Sequence, residues 1–159
     1  MVDVADAAPD FTASLAHDGI EPFRFSDALG DGPVVLAFFP GAFSNTCTTE
    51  MCTFRDQLAR FEEVGGTVFG VSTDLPHAQE AYRTKHDLPF GLVADADHNA
   101  IEAYDVADDG FTHYGIETVA QRSVFVIDAD GVVVYRWLAD NPGQEPDYDE
   151  VAAAVDDAV

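Results

Sequence analysis

Cys47 and Cys52 are the groups in this chain best suited to redox chemistry, and both lie in the run Phe39-Pro40-Gly41-Ala42-Phe43-Ser44-Asn45-Thr46-Cys47-Thr48-Thr49-Glu50-Met51-Cys52. An apolar strand ends at Phe39, Pro40-Gly41 break it, and Cys47 falls at the first turn of a following helix. There the sulfur faces free backbone N–H groups and the positive end of the helix dipole, and both favour the thiolate over the thiol. The thiolate is the nucleophile of cysteine chemistry. Ser44, three residues earlier, places a hydroxyl where it could donate to the sulfur or hold a substrate oxygen, and Pro40 supplies a rigid wall without an N–H. The competing expectation is that Cys47 is one more buried, inert cysteine.

Arg122 is the second candidate. It opens the apolar strand Ser123–Ile127 in a chain with only seven Lys+Arg. A buried guanidinium has to be paired or hydrogen-bonded. A thiolate with a polar substrate would satisfy it, and so would a structural ion pair with one of the many acids. Cys52 poses a geometric problem. Five residues along a regular helix turn a side chain by about 140° and raise it by about 7.5 Å. A disulfide needs β-carbons about 3.8 Å apart, so an intact helix forbids a Cys47–Cys52 bond.

The elements that must position these residues follow from the hydrophobic pattern. Phe11–Leu15 and Ile20–Phe25, separated by His17-Asp18-Gly19, predict an N-terminal hairpin. Pro33–Phe39 reads as a strand buried on both faces. Thr48–Val64 is helical, with Phe54, Leu58 and Phe61 on one face and Gly65-Gly66 as its stop. A strand Thr67–Thr73 follows. Asp74 and Pro76 open a helix to about His86. Gly91–Ala94 is a short strand, and His98–Tyr104 a short helix. Ser123–Ile127 and Val132–Leu138 flank the turn signal Asp128-Ala129-Asp130-Gly131, and Asp147–Val159 forms a last helix. This alternation predicts a single α/β domain over residues 1–159, a central mixed sheet flanked by helices with an N-terminal β-hairpin extension, in a thioredoxin-like fold.

Composition narrows the partners. With 30 Asp+Glu against 7 Lys+Arg, a net charge of −23 over 159 residues excludes nucleic acid and anionic membrane surfaces. Hydrophobic residues at 47% argue against disorder. Asp outnumbers Glu by 21 to 9 and Lys occurs once. Such self-repulsion is screened at molar salt, where the Debye length is about 3 Å. The expected setting is therefore the salt-rich cytosol of a halophile, such as a halophilic archaeon. No signal peptide opens the chain, and no apolar run is long enough to span a bilayer, which predicts a cytoplasmic protein. His17, His77, His86, His98 and His113 are scattered without metal-ligand spacing. Phe38, Phe39, Phe43 and Trp137 could line a substrate entrance, though aromatics near strand ends are more often simply core, and Asn141-Pro142-Gly143 is turn chemistry.

Pro40-x-x-x-Ser44-x-x-Cys47, continued through Thr48-Thr49-Glu50, resembles the peroxiredoxin signature, in which Thr is usual at the position of Ser44. Arg122-Ser123-Val124-Phe125-Val126-Ile127-Asp128 is similar to the strand on which peroxiredoxins carry their active-site arginine. The resemblance runs from Ala8-Pro9-Asp10-Phe11 to the hairpin after Asp128. It implies a thiol peroxidase: peroxide is held by Ser44, the N–H groups near Thr46 and Cys47, and Arg122, beside Pro40, while the Cys47 thiolate becomes a sulfenic acid. Glu50 would orient an arginine, or else is a helix-face acid near the dipole's positive end. The Cx4C spacing is similar to the bacterioferritin-comigratory, or peroxiredoxin Q, subgroup. There the second cysteine resolves the sulfenic acid as a local disulfide, which for Cys52 requires the first turns of the helix to unwind. The alternative keeps Cys52 as a small core hydrophobe, with Cys47 reduced by an external thiol. The resemblance implies hydrogen peroxide or organic hydroperoxides as substrate, a thioredoxin-like reductant, no metal or organic cofactor, and a monomer or homodimer. A thioredoxin-fold binding or chaperone module without peroxidase activity would have no need of Pro40, Ser44, Cys47 and Arg122 together.

Overall fold

The computed structural model describes residues 2–159. His17-Asp18-Gly19 join β1 (Thr12–Ala16) to β2 (Ile20–Arg24) as an antiparallel hairpin, with Asp18 and Gly19 both at positive φ. The chain continues through β3 (Val34–Phe38), α1 (Asn45–Glu62), β4 (Thr67–Ser72), α2 (Pro76–Lys85), β5 (Gly91–Ala94), α3 (Asn99–Ala103), β6 (Ala107–Asp108), β7 (Val119–Ala120), β8 (Ser123–Ile127), β9 (Val133–Leu138) and α4 (Tyr148–Asp157).

Seven strands form one sheet in the order β2-β1-β5-β4-β3-β8-β9. Strands β3, β4 and β5 run parallel; β1 joins β5, and β8 joins β3, antiparallel. This is the mixed, thioredoxin-like sheet expected, with the N-terminal hairpin as its extension. Every residue of β3 is buried, because helices or loops cover both faces. Val35, Ala37 and Phe39 meet Met51, Phe54 and Phe61 of α1, Tyr82 of α2, and Val151 and Val155 of α4. Val34, Leu36 and Phe38 pack instead with Phe11, Phe25, Ile101, Tyr104 and Phe125. Burying a large apolar side chain is worth about 1.5–3 kcal/mol, so these two layers supply most of the drive to fold.

Two local features bring α1 onto the sheet. A Cβ at Gly70 would lie 2.7 Å from Leu92 Cδ2, 3.0 Å from Met51 Sδ and 3.1 Å from the Phe39 ring, so glycine in β4 lets the helix settle closely without displacing these side chains. The helix also starts at Asn45, three residues before the apolar periodicity begins. Ser44 is its N-cap residue in extended conformation, and Cys47 is the third helical residue.

Other boundaries differ from expectation for identifiable reasons. Asp74 does not cap α2; Leu75 occupies that position and Pro76 begins the helix, while the Asp74 carboxylate turns to another partner. Asp147 does cap α4, accepting from the N–H groups of Asp149 and Glu150 at 3.1 and 3.2 Å. The ribbon β6–β7 was not anticipated, since two-residue strands carry no readable period.

Candidate active site

Cys47, Glu50 and Arg122 meet where the first turn of α1 crosses the entry to β8. Cys47 and Glu50 stand on α1 three residues apart, and so share a face. Arg122 arrives from 75 residues later. Its Nη2 donates to Cys47 Sγ at 3.1 Å and its Nη1 to Glu50 Oε1 at 2.8 Å. Two further donors go to the Pro142 carbonyl, from Nη2 at 2.8 Å and Nε at 3.2 Å. That carbonyl is itself fixed by a turn in which Gly143 N donates to Asn141 Oδ1 and Gln144 N to Asn141 O. The planar guanidinium is thus held on three sides, as its rigid fork of donors allows.

All three side chains are out of water: exposure is 1% for Cys47, 0% for Glu50 and 2% for Arg122. Glu50 is therefore not a solvated helix-face acid. Burial pushes its carboxyl from the ordinary 4.5 up to about 7; Arg122 draws it back only in part, and Glu145 adds to the rise. Glu50 Oε2 is buried without a hydrogen-bond partner. Burial pulls on Arg122 in the opposite sense, yet the charges of Glu50 and Cys47 outweigh it and hold the guanidinium above its ordinary value. The pair is attractive, and one of its members still carries a net cost of burial.

Above this floor opens a cleft of about 370 Å³. Pro40, Ser44 and Thr46 line it with Cys47 and Arg122, and Phe111, Tyr114, Ile116 and Val119 supply its apolar wall. Ser44 Oγ donates to the Gly41 carbonyl at 2.9 Å rather than to the sulfur. Its side chain caps none of the first N–H groups of α1, and those groups have no intrahelical acceptor. Of the aromatics that could have lined an entrance or the core, Phe38 and Phe39 are fully buried in the two cores, Trp137 packs against one of them, and Phe43 lies exposed beside Tyr82 and His86. The wall residues and the Pro142 carbonyl escaped the sequence reading. Their one signal was a group of large side chains, Phe111, Tyr114 and Ile116, in a stretch otherwise made of Asp, Gly, Thr, His and Glu.

Cys52 is not part of this cleft. It is a free, half-buried thiol on α1, and α1 runs unbroken from Asn45 to Glu62. The two sulfurs are thus held on different faces of one helix, as the spacing required. Among the described residues, no group of three His, Cys, Asp or Glu side chains could hold a metal ion.

A thioredoxin-like sheet that presents a helix-start cysteine to a guanidinium, at the bottom of an open cleft, defines the class of cysteine-based redox enzymes built on that fold. Residues 4–136 match the AhpC/TSA family. The chain is 36% identical over 140 residues to peroxiredoxin Bcp of Bacillus subtilis (strain 168), covering 86% of this chain and 85% of that protein. Peroxidoxin BcpB of Mycobacterium tuberculosis superposes with a TM-score of 0.87 at 29% identity, over 100% of this chain and 99% of that one. The Xanthomonas campestris bacterioferritin comigratory protein, whose structures address alkyl peroxide reduction, superposes at 0.82 with 27% identity over 98% of each chain. The chain belongs to the AhpC/TSA family, as a thiol peroxidase of the Bcp/PrxQ peroxiredoxin type.

Proposed function

We propose that Cys47 is the peroxide-reducing residue and that its substrates are hydrogen peroxide and organic hydroperoxides. The Cys47 thiolate attacks the terminal peroxide oxygen. The S–O bond forms as the O–O bond breaks, and the departing oxygen takes a proton and leaves as water or an alcohol. The sulfur is oxidised to a sulfenic acid and the peroxide reduced. Arg122 carries the argument: its Nη2 lies 3.1 Å from the sulfur, where it stabilises first the thiolate and then negative charge on the breaking O–O bond. Ser44 and the N–H groups of Thr46 and Cys47 line the space a peroxide would fill, Pro40 walls it, and Glu50 orients the guanidinium. The apolar wall suits an organic group on the peroxide. Sulfur does the redox work, so no cofactor is called for.

Resolution follows by attack of the Cys52 thiolate on the sulfenic sulfur, forming a disulfide and releasing water. It requires the start of α1 to unwind, and a thioredoxin-like dithiol then restores both thiols. The other reading leaves Cys52 out of the cycle, with α1 staying wound between the two cysteines throughout. Peroxide consumption with a dithiol reductant tests the first step, since Cys47→Ser should abolish it. A Cys47→Ser variant as fast as wild type would sink the proposal. Intact mass after one equivalent of peroxide tests the second. Loss of two hydrogens supports the internal disulfide, and oxygen retained on Cys47 with Cys52 free supports the one-cysteine cycle.

The −23 charge supports a salt-rich cytosol as the working solvent. No described helix is long and apolar enough to cross a membrane. Melting temperature should rise steadily from low salt to molar KCl; a flat response would contradict the halophilic setting.

A further inference from the structure

The segment between β3 and α1 sets where Cys47 points, and it includes a non-glycine residue, Phe43, at φ +68°. Such a conformation persists only where surrounding contacts over-determine it. The neighbouring peptide supplies one: Ala42 N donates to Asp74 Oδ2 at 2.8 Å, across to the end of β4. The same carboxylate oxygen accepts from Ser72 Oγ at 2.6 Å. Ser72 accepts in turn from Gln79 Nε2 at 2.6 Å, and the Gln79 amide also donates to the Val93 carbonyl of β5 at 3.2 Å. Ser72 and Gln79 are fully buried. Because Gln79 donates to the Ser72 oxygen, the Ser72 proton is directed at Asp74. The donors therefore converge on Asp74, which accepts from Ser72 on one side and from the Ala42 N–H on the other.

We propose that Asp74 is a positioning residue for the peroxidase reaction: it anchors the loop before Cys47 and so holds α1 in the wound state that reacts with peroxide, against the unwound state in which Cys52 reaches the sulfur. The inference rests on the reading of Cys47 and Cys52 given above. A second tether from the same region, Tyr82 Oη to Thr48 Oγ1 at 3.0 Å, lies on the other side of Cys47. The two anchors bracket the residue that has to move. Asp74 is not among the residues that line the cleft, and its carboxylate is hydrogen-bonded to Ala42 and Ser72. Its loss should then divide the two steps, slowing oxidation, which needs the wound helix, and quickening disulfide closure, which needs it open.

The test is stopped-flow measurement of both phases in wild type, Asp74→Ala, Asp74→Asn and Ser72→Ala. Far-ultraviolet circular dichroism and melting temperature serve as controls of fold. In Asp74→Ala the rate constant for sulfenic acid formation should fall about fivefold, as loss of one hydrogen bond allows. Disulfide closure should speed up by a similar factor. Asp74→Asn keeps an acceptor for Ala42 and should recover most of the oxidation rate. Equal slowing of both phases, or no change in either, would overturn the proposal. If Asp74→Ala does not fold, Ser72→Ala decides by the same opposed changes, at about half the size. Wild type separates the two levels: absence of its own sulfenic acid phase refutes the reading of Cys47, whereas a normal wild type with an unchanged variant refutes only the role of Asp74.

Discussion

The floor and the wall of the cleft are built in opposite ways. The floor holds three buried side chains from two distant segments, joined by charge-assisted hydrogen bonds of 2.8 and 3.1 Å. The wall comes from the segment between β6 and β7 and the first residue of β7, and Tyr114 and Ile116 in it are 70% and 44% exposed. A buried charge network permits few alternatives, because each unpaired member costs several kcal/mol. An exposed apolar rim permits many. The floor should therefore govern whether the reaction occurs, and the wall which peroxide is taken.

The largest effect belongs to Arg122. In Arg122→Ala the second-order rate constant with hydrogen peroxide should fall by about 10² to 10³, the loss typical of removing one preorganised donor to developing negative charge. Arg122→Lys should recover little, because an ammonium cannot reach Cys47, Glu50 and the Pro142 carbonyl from one plane. Stopped-flow oxidation monitors both variants. A loss below tenfold would mean that the floor does not govern the chemistry.

Glu50 tests the same network through stability. Its carboxyl is raised to about 7 in the folded protein against an ordinary 4.5. Between those values the folded chain holds a proton that the unfolded chain has released. Its contribution to stability is therefore full below about 4.5 and is lost as pH rises to about 7. Glu50→Gln should remove that slope, so that the stability difference between variant and wild type shifts by about 3 kcal/mol in the variant's favour across the window. Denaturant unfolding at several pH values measures it, and taking differences cancels the titration of the other acids. A parallel pair of curves would show that Glu50 stays ionised throughout.

The wall predicts a smaller and more selective change. Tyr114→Ala with Ile116→Ala should lower the rate with cumene hydroperoxide about tenfold, in the range expected for loss of an apolar contact surface. The hydrogen peroxide rate should stay within about twofold, since that substrate is too small to meet the wall. Equal losses on both substrates would erase the distinction between the two regions.

That division also explains what could be read before the fold was known. The floor was legible because its residue types are costly and few: an arginine opening an apolar strand in a chain with seven Lys+Arg, and a cysteine just past a strand break. The alternation of strands and helices was legible in outline because buried strands such as Val34–Phe38 leave unbroken apolar runs. The wall was not, because Phe111, Tyr114 and Ile116 obey no period, and the placing of such a segment depends on tertiary contacts. Asp74 was read as opening a helix, since Asp before Pro favours that reading locally. Its true partner, the Ala42 N–H, lies 32 residues away. Glu50 had no sequence signal for complete burial, because nothing local distinguishes it from a solvated acid in a first turn.

Ser44 sits between the two regions and should give the smallest effect. Its hydroxyl lines the cleft but spends its proton on the Gly41 carbonyl at 2.9 Å, so it is an acceptor, not a donor, toward anything bound beside Cys47. A hydroperoxide that donates its own O–H to Ser44 fits this polarity, and the oxygen so held is the terminal one that the thiolate attacks. In Ser44→Thr the added methyl narrows the side-chain rotamers without changing the donor and acceptor pattern. The oxidation rate should rise by no more than about twofold, because the gain is one of side-chain entropy alone. Ser44→Ala removes the acceptor and should slow oxidation about tenfold, the cost of leaving a substrate proton without a partner. If Ser44→Ala matched wild type while Arg122→Ala did not, the peroxide would be held by the guanidinium and the N–H groups at the start of α1, and the serine would serve only to close its own turn.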